Sequence, residues 1–84
     1  MLNSSVSPTV RRIGPYRFFF YASDLGEPAH IHVERDRAVA KFWLEPISLD
    51  YAQGMSPREL SRAETLIEEN AEQIRRTWDE VFHP

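Results

Sequence analysis

The hydrophobic pattern of this chain changes period once, at Ser56, and that change constrains the fold more than any other feature. Before Ser56, apolar residues form short runs separated by glycine and proline turns, which is typical of β-strands. After Ser56, apolar residues recur at helical spacing along one stripe. The 84 residues suffice for one domain. We therefore predict an α+β domain in which a small antiparallel sheet precedes a C-terminal helix.

Turn signals divide the first part of the chain into four or five strands. The predicted strands are 9–13, 16–22, 29–35 and 38–45, with 47–52 as a short fifth strand or an extended loop. Short connections favour sequential antiparallel pairing, which gives a β-meander. Residues 1–8 are polar and end in proline, so we predict a flexible N-terminal arm followed by a single domain over residues 9–84.

The helix has a clear start signal. Ser56 and Glu59 match a capping box, and Pro57 occupies the first helical position. One long amphipathic helix is predicted to about residue 81, packed on one face of the sheet. Asn70 is the position where we expect a bend or break.

The segments 29–35 and 38–45 predict a hairpin whose loop is the two residues 36 and 37. This loop pairs Ile31 with Phe42 and Val33 with Ala40, which collects apolar residues on one side. A loop of odd length shifts the pairing and mixes the two sides. The pattern therefore favours the two-residue loop.

The other side of this hairpin places His30 opposite Trp43 and His32 opposite Lys41. The strand 16–22 is apolar on both sides, and strands of this kind are usually covered on both. One helix covers only one face of a sheet. The second face is therefore covered by the N-terminal arm or is exposed as a binding surface.

His30, His32 and Glu34 alternate along one strand and point the same way. As a metal site, the two imidazoles need an oxygen ligand, which Glu34 or Asp24 is able to supply. Lys41, opposite His32, disfavours a bound cation. We therefore predict no metal and no other cofactor, and keep a metal-binding protein built on the H-x-H pair as an alternative.

The same histidines permit two other interpretations. With Arg17 and Lys41 to stabilise a phosphorane, His30 and His32 form a catalytic set for a metal-independent endoribonuclease. In the plainer interpretation, they are polar residues on a half-solvated strand. Sequence spacing alone leaves all three interpretations open.

Charge and composition limit the classes of partner. The formal net charge is −3, which disfavours a dedicated nucleic-acid binder. The chain has no cysteine, no signal-like N-terminus and no apolar run approaching the ~20 residues that span a bilayer. We predict a cytoplasmic protein without a membrane partner.

Five motifs occur in order along most of the chain. They read P-T-V, R-I-x-x-Y-x-F-F-F, E-P-x-H-I-H-V, A-K-F-W-L and L-I-x-x-N, the last followed by a tryptophan near the end of the helix. Together they resemble the prokaryotic family catalogued as domain of unknown function 4160. Members of that family often lie beside a small protein of the family domain of unknown function 2442, in gene pairs similar to toxin–antitoxin modules.

The resemblance implies a toxin-like protein that binds the cognate small protein encoded by the adjacent gene. We predict that the partner covers the open sheet face, and that the protein forms a homodimer when alone. The predicted partner-binding residues are Phe19, Tyr21, Trp43 and Glu34. Because small toxins often act on RNA, the resemblance also favours the ribonuclease alternative, with RNA as a second ligand.

Overall fold

The computed structural model describes residues 9–84, so the arm predicted at residues 1–8 lies outside the described residues. Within the described residues, five strands form one antiparallel sheet in chain order, followed by two helices. The strands are β1 (Thr9–Ile13), β2 (Tyr16–Phe19), β3 (His30–Arg35), β4 (Ala38–Leu44) and β5 (Ile47–Gln53), and the helices are α1 (Pro57–Glu69) and α2 (Ala71–Phe82). The predicted α+β fold with a β-meander is confirmed.

The hairpin of β3 and β4 has the predicted register. Ile31 pairs with Phe42 and Val33 with Ala40, so the apolar set lies on one face. The two-residue loop turns at Asp36, whose φ of 54° lies in the left-handed region. Register and turn geometry therefore agree, as expected where one face of a strand is buried.

The hydrophobic core lies between that face and the two helices. Phe18, Ile31 and Phe42 are buried against the helices. Each fully buried side chain of this size contributes roughly 1.5–3 kcal/mol of transfer free energy. The helices contribute Ala63, Leu66, Ile67, Ile74 and Trp78 to the same core.

The C-terminal helix is divided in two. Ser56 caps α1: its side-chain oxygen accepts from the N–H of Glu59 at 3.1 Å. At Asn70, where the sequence indicates a break, the chain leaves helical geometry with φ −116° and ψ 14°. The Asn70 amide Nδ2 donates to the carbonyl oxygen of Leu66 at 2.8 Å, which satisfies one of the last carbonyls of α1. One continuous helix is thus replaced by α1 and α2.

No helix in residues 9–84 has both the length and the apolar character needed to cross a membrane.

The second strand ends earlier than predicted, at Phe19 rather than at residue 22. Phe20 packs edge-on against Trp78, with ring centroids 5.2 Å apart. The chain then forms a short 3-10 turn, Ala22–Asp24. Tyr21 and Asp24 close this turn reciprocally, because the Tyr21 N–H donates to Oδ2 of Asp24 at 2.8 Å and the Asp24 N–H donates to the Tyr21 carbonyl at 3.0 Å. Residues 21–28 consequently fold over the sheet face that the helices leave uncovered.

Candidate functional site

A buried polar cluster lies on that second face. It consists of Asp24, His30 and His32, whose exposed fractions are 5%, 0% and 6%. The alternation of β3 brings the two histidines to one face, and the turn at residues 22–24 places the aspartate over them. The cluster therefore joins a strand to the segment that folds across it.

The ring of His30 has an unusual set of neighbours. Its Nδ1 lies 2.8 Å from the carbonyl oxygen of Pro28, which only accepts, so Nδ1 carries a proton and donates. Its Nε2 lies 3.1 Å from Oδ1 of Asp24. That distance suits an ion pair, but the direction does not suit a hydrogen bond, and no described residue forms a hydrogen bond with Nε2. A fully buried nitrogen thus lies beside a carboxylate oxygen, and no hydrogen bond joins the two atoms.

His32 approaches the same carboxylate. Its Nε2 lies 3.0 Å from Oδ2 and 3.3 Å from Oδ1 of Asp24. Burial lowers the pKa of His32 below its ordinary value of 6.5, and the attraction of Asp24 offsets this only in part. The ring of Phe19 stacks on the imidazole with centroids 5.4 Å apart, and Tyr21 meets it edge-on at 4.7 Å. His32 is therefore a neutral imidazole at pH 7 in an aromatic surrounding.

Asp24 carries the negative charge of the cluster. Burial raises the pKa of this carboxyl, but the hydrogen bond from the Tyr21 N–H, the adjacent His30 imidazole and the charge and hydrogen bond of His32 lower it more. The net pKa lies below the ordinary value of 3.8, so Asp24 is a carboxylate at neutral pH. One oxygen of the Asp24 carboxylate thus lies 3.1 Å from a nitrogen of His30, and the other lies 3.0 Å from a nitrogen of His32.

The two cations of the predicted catalytic set are engaged by carboxylates. Arg17 lies 3.4 Å from Glu34, and Nζ of Lys41 lies 2.7 Å from Glu27 and 3.5 Å from Asp50. Although burial lowers the pKa of Lys41, Glu27 and Asp50 raise it above its ordinary value. Arg17 and Lys41 therefore already have anionic partners within the chain, and the predicted phosphate-binding role of each stays a prediction.

The second face is less open than the sequence indicates. Phe19 is buried at 2%, and Trp43 and Glu34 are half-buried. Of the predicted partner-binding residues, only Tyr21 is exposed, at 44%. The expectation of an open aromatic face is wrong for Phe19, because residues 21–28 fold back over the sheet and place Tyr21 against it, with ring centroids 5.1 Å apart.

Sequence reasoning identified Asp24 as one of two possible oxygen donors, and the structure distinguishes them. Glu34 lies at the other end of β3, beside Arg17. Sequence reasoning did not identify Glu27, which holds the ammonium group of Lys41 and so neutralises the cation expected to repel a metal ion. The sequence did offer one indication of a role for Glu27, which is its position three residues before His30 in the E-P-x-H-I-H-V motif.

The three side chains form a donor set of the kind that binds transition metals. One ligand atom from each of Asp24, His30 and His32 lies within 4.8 Å of the other two. Two imidazoles with one carboxylate suit zinc, iron and related divalent ions. A metal-bound histidine usually donates its second ring N–H to a carbonyl or carboxylate, as Nδ1 of His30 donates to Pro28.

A comparison with protein families gives one match. The family model described as Domain of unknown function (DUF4160) matches residues 16–79, which include every member of the cluster. No curated protein matches the chain, and no solved structure matches it. The match extends over most of the described residues.

Proposed function

This chain belongs to the DUF4160 family, and because the description of that family assigns no activity, we propose from the geometry of the buried cluster that the protein binds a divalent transition-metal ion. The ligands are Nε2 of His30, Nε2 of His32 and the carboxylate of Asp24. The ion is of the zinc, iron or nickel class, because two nitrogens and one oxygen are softer than the all-oxygen sets preferred by calcium and magnesium.

The observation that carries this proposal is the Nε2 atom of His30. It is fully buried and without a hydrogen bond from any described residue, yet it lies 3.1 Å from a carboxylate oxygen. Two lone pairs that face each other at this distance repel, and a cation between or beside them would remove that repulsion. A metal ion supplies that cation to both histidines and to Asp24 at once.

A proton is the competing explanation. It requires His30 to be a buried imidazolium whose Nε2–H points at Asp24, as in a charge-assisted hydrogen bond. The direction of the contact does not meet that requirement, whereas a metal ion needs the two atoms to converge on a third point. For metal–ligand bonds of about 2.1 Å, neighbouring ligand atoms lie about 3.0–3.4 Å apart. The distances of 3.1 Å from His30 to Oδ1 and 3.0 Å from His32 to Oδ2 of Asp24 are compatible with this spacing for a carboxylate that uses both oxygens.

Metal content and metal-dependent stability test the proposal. The metal content of tag-free protein, purified without chelator, is measured by elemental mass spectrometry. Metal-stripped protein is then titrated with Zn²⁺, Ni²⁺, Fe²⁺ and Mn²⁺. We expect one ion per chain for at least one metal. At a free metal concentration of 100 times Kd, the gain in stability is about 2.7 kcal/mol. For a domain of this size that corresponds to a rise in Tm of roughly 10 °C or more.

The chain offers a matched control. His32→Ala and Asp24→Asn should each abolish the Tm rise, whereas His83→Ala, which removes an exposed histidine outside the cluster, should leave it unchanged. Circular dichroism of the stripped variants shows whether each one folds. The proposal is overturned if the stripped protein binds none of the four metals, or if the folded His32→Ala variant binds as tightly as the wild type.

A second candidate function is binding of the cognate small protein expected from toxin–antitoxin-like gene pairs. The observation that favours it is a row of side chains across the second face. Tyr21 contacts His32, His32 pairs with Lys41, and Lys41 pairs with Tyr51 of β5. Both tyrosines are exposed, at 44% and 48%. Exposed aromatics on one face are a common signature of a protein contact.

Co-expression with the product of the adjacent gene tests this second function. We expect co-purification that is weakened by Tyr21→Ala and by Tyr51→Ala, and unaffected by Val81→Ala on α2. A complex that forms equally well with all three variants contradicts this footprint. If the chain runs as a homodimer when alone, the same variants show whether self-association uses this surface.

The endoribonuclease alternative is tested by induced expression without the neighbouring gene. Wild type, His30→Ala and His32→Ala are compared for growth and for intact RNA. Equal growth and intact RNA in all three argue against catalysis. His30 has no exposed surface, so a phosphodiester reaches its ring only if some of the residues packed around it move.

A further inference from the structure

A concave site lies at one end of the sheet, next to the buried cluster but lined by none of its three residues. It is a groove of about 490 Å³ between the β4–β5 turn and α2. This volume falls within the range of about 300–1,000 Å³ that is usual for small-molecule sites. Its lining includes Pro28, Trp43, Glu45, Pro46, Trp78 and Asp79.

The apolar part of the groove is aromatic, and its tryptophans are packed against other rings. Trp78 is almost fully buried and is held by Phe20 and Phe82, with ring centroids 5.2 and 4.4 Å away. Trp43 is half-buried, and the Nζ atom of Lys41 lies 4.4 Å from its ring centroid. The indole of Trp43 thus already attracts an ammonium group within the chain, as expected for the negative face of a tryptophan ring.

The charged part of the groove is acidic. Glu45 and Asp79 line it from opposite sides, one from the β4–β5 turn and the other from α2. Glu45 has an exposed side chain and one neighbouring cation, Arg75, at 3.4 Å. The guanidinium of Arg75 also donates to the carbonyl oxygen of Leu44, so it is shared with the end of β4. No lysine or arginine is among the described residues that line the groove.

We propose that this groove binds a small organic cation: a protonated amine attached to an apolar or aromatic body. The apolar body packs among the tryptophan and proline rings, and the ammonium group lies between the carboxylates of Glu45 and Asp79. The ring of His30 contacts both tryptophans, with centroids 5.5 and 5.1 Å away. None of Asp24, His30 and His32 lines the groove, so the ligand does not require the metal ion.

Intrinsic fluorescence reports directly on this groove, because the chain has two tryptophans and both line it. The probes are benzylamine, benzyl alcohol and benzoate, which share an aromatic ring and carry positive, zero and negative charge at pH 7. We expect a saturable fluorescence change with benzylamine, with Kd of about 1 mM or tighter. Benzyl alcohol should bind at least tenfold more weakly, and benzoate should not bind.

Matched variants locate the charge. Asp79→Asn and Glu45→Gln should each weaken benzylamine binding about fivefold or more, whereas Glu80→Gln, next to Asp79 but outside the lining, should leave it unchanged. Thermal melts confirm that each surface variant folds. Absence of saturable benzylamine binding, or equal affinity for benzylamine and benzyl alcohol, overturns the proposal. Metal-stripped protein should give the same affinity, so this result stands apart from the outcome of the metal experiments.

Discussion

The Nε2 atom of His30 lies 3.1 Å from Oδ1 of Asp24, although the two residues belong to different elements. His30 begins β3, whereas Asp24 ends the 3-10 turn that folds across the sheet. A cation held by both side chains therefore connects the segment 21–28 to the strand beneath it. The proposed metal binding would therefore be linked to the position of this segment through one carboxylate.

The first prediction follows from that link. Zn²⁺ should slow amide hydrogen exchange in residues 21–28 about tenfold or more, because the ion ties Asp24 to β3 and suppresses local opening. Peptides from β5, an exposed edge strand, should change little. The measurement is exchange followed by mass spectrometry, with and without metal. An equal slowing in all segments contradicts a local link and indicates only general stabilisation.

The second prediction concerns Trp78. Trp78→Ala should lower the free energy of unfolding by about 3–5 kcal/mol, because the change leaves a cavity beside Phe20 and Phe82. Trp78→Phe should cost less, since most of the ring volume remains. Val81→Ala, on the same helix but exposed, should change stability by about 0.5 kcal/mol or less. Urea unfolding measures all three, and similar losses for Trp78→Ala and Val81→Ala contradict the packing described for α2.

The third prediction concerns the start of α1. Ser56→Ala should cost about 1 kcal/mol, because the N–H of Glu59 loses its acceptor. Ser61→Ala is the control: Ser61 is exposed within the helix, where alanine is the better helix former, so stability should stay the same or rise slightly. A loss at Ser61 equal to that at Ser56 contradicts the capping role.

The fourth prediction is a pH dependence at the same cap. The N–H of Ser56 donates to Glu59, and this bond, aided by Arg35, holds the pKa of Glu59 below its ordinary value of 4.5. The unfolded chain thus binds a proton at higher pH than the folded chain does. The contribution of Glu59 is present above pH 4.5 and is lost as pH falls through the lower folded pKa. With Glu59→Gln, the free energy of unfolding should fall less steeply as pH drops below about 4.5. If its pH dependence in acid is unchanged, Glu59 does not make this contribution.

Local signals in the sequence predict most of the fold. The parity of the hairpin at 29–45 follows from a two-residue loop and one apolar face, and the start of α1 follows from Ser56, Pro57 and Glu59. The break at Asn70 is indicated by a residue whose side chain competes for backbone hydrogen bonds. Each of these features depends on residues close together in the chain.

The site depends on contacts that short-range patterns do not encode. The early end of β2 arises because Phe20 packs on Trp78, far along the chain, which turns residues 21–28 over the second face. Only that turn brings Asp24 to the two histidines and Glu27 to Lys41. Sequence reasoning identified the histidines and Asp24 as candidates, but it took Lys41 as a charge that disfavours a bound cation and did not predict its pairing with Glu27.

The fifth prediction concerns the β3–β4 turn. Asp36 has φ of 54°, a region that costs a non-glycine residue roughly 1–2 kcal/mol. Asp36→Gly should therefore raise the free energy of unfolding by up to about 1 kcal/mol, since the flexibility of glycine in the unfolded chain offsets part of the relief. Asp36→Val should lower stability, because a β-branched side chain tolerates this backbone poorly.

Arg37 provides the control for this turn, because it is not among the residues with positive φ. Arg37→Gly only increases the conformational entropy of the unfolded chain, so it should lower the free energy of unfolding by about 0.5–1 kcal/mol. Urea unfolding with an unchanged m-value measures these changes as differences in stability alone. Opposite signs for Asp36→Gly and Arg37→Gly are the expected result. The same sign for both means that the left-handed conformation of Asp36 carries no strain, and the register of the hairpin then depends on its apolar face alone.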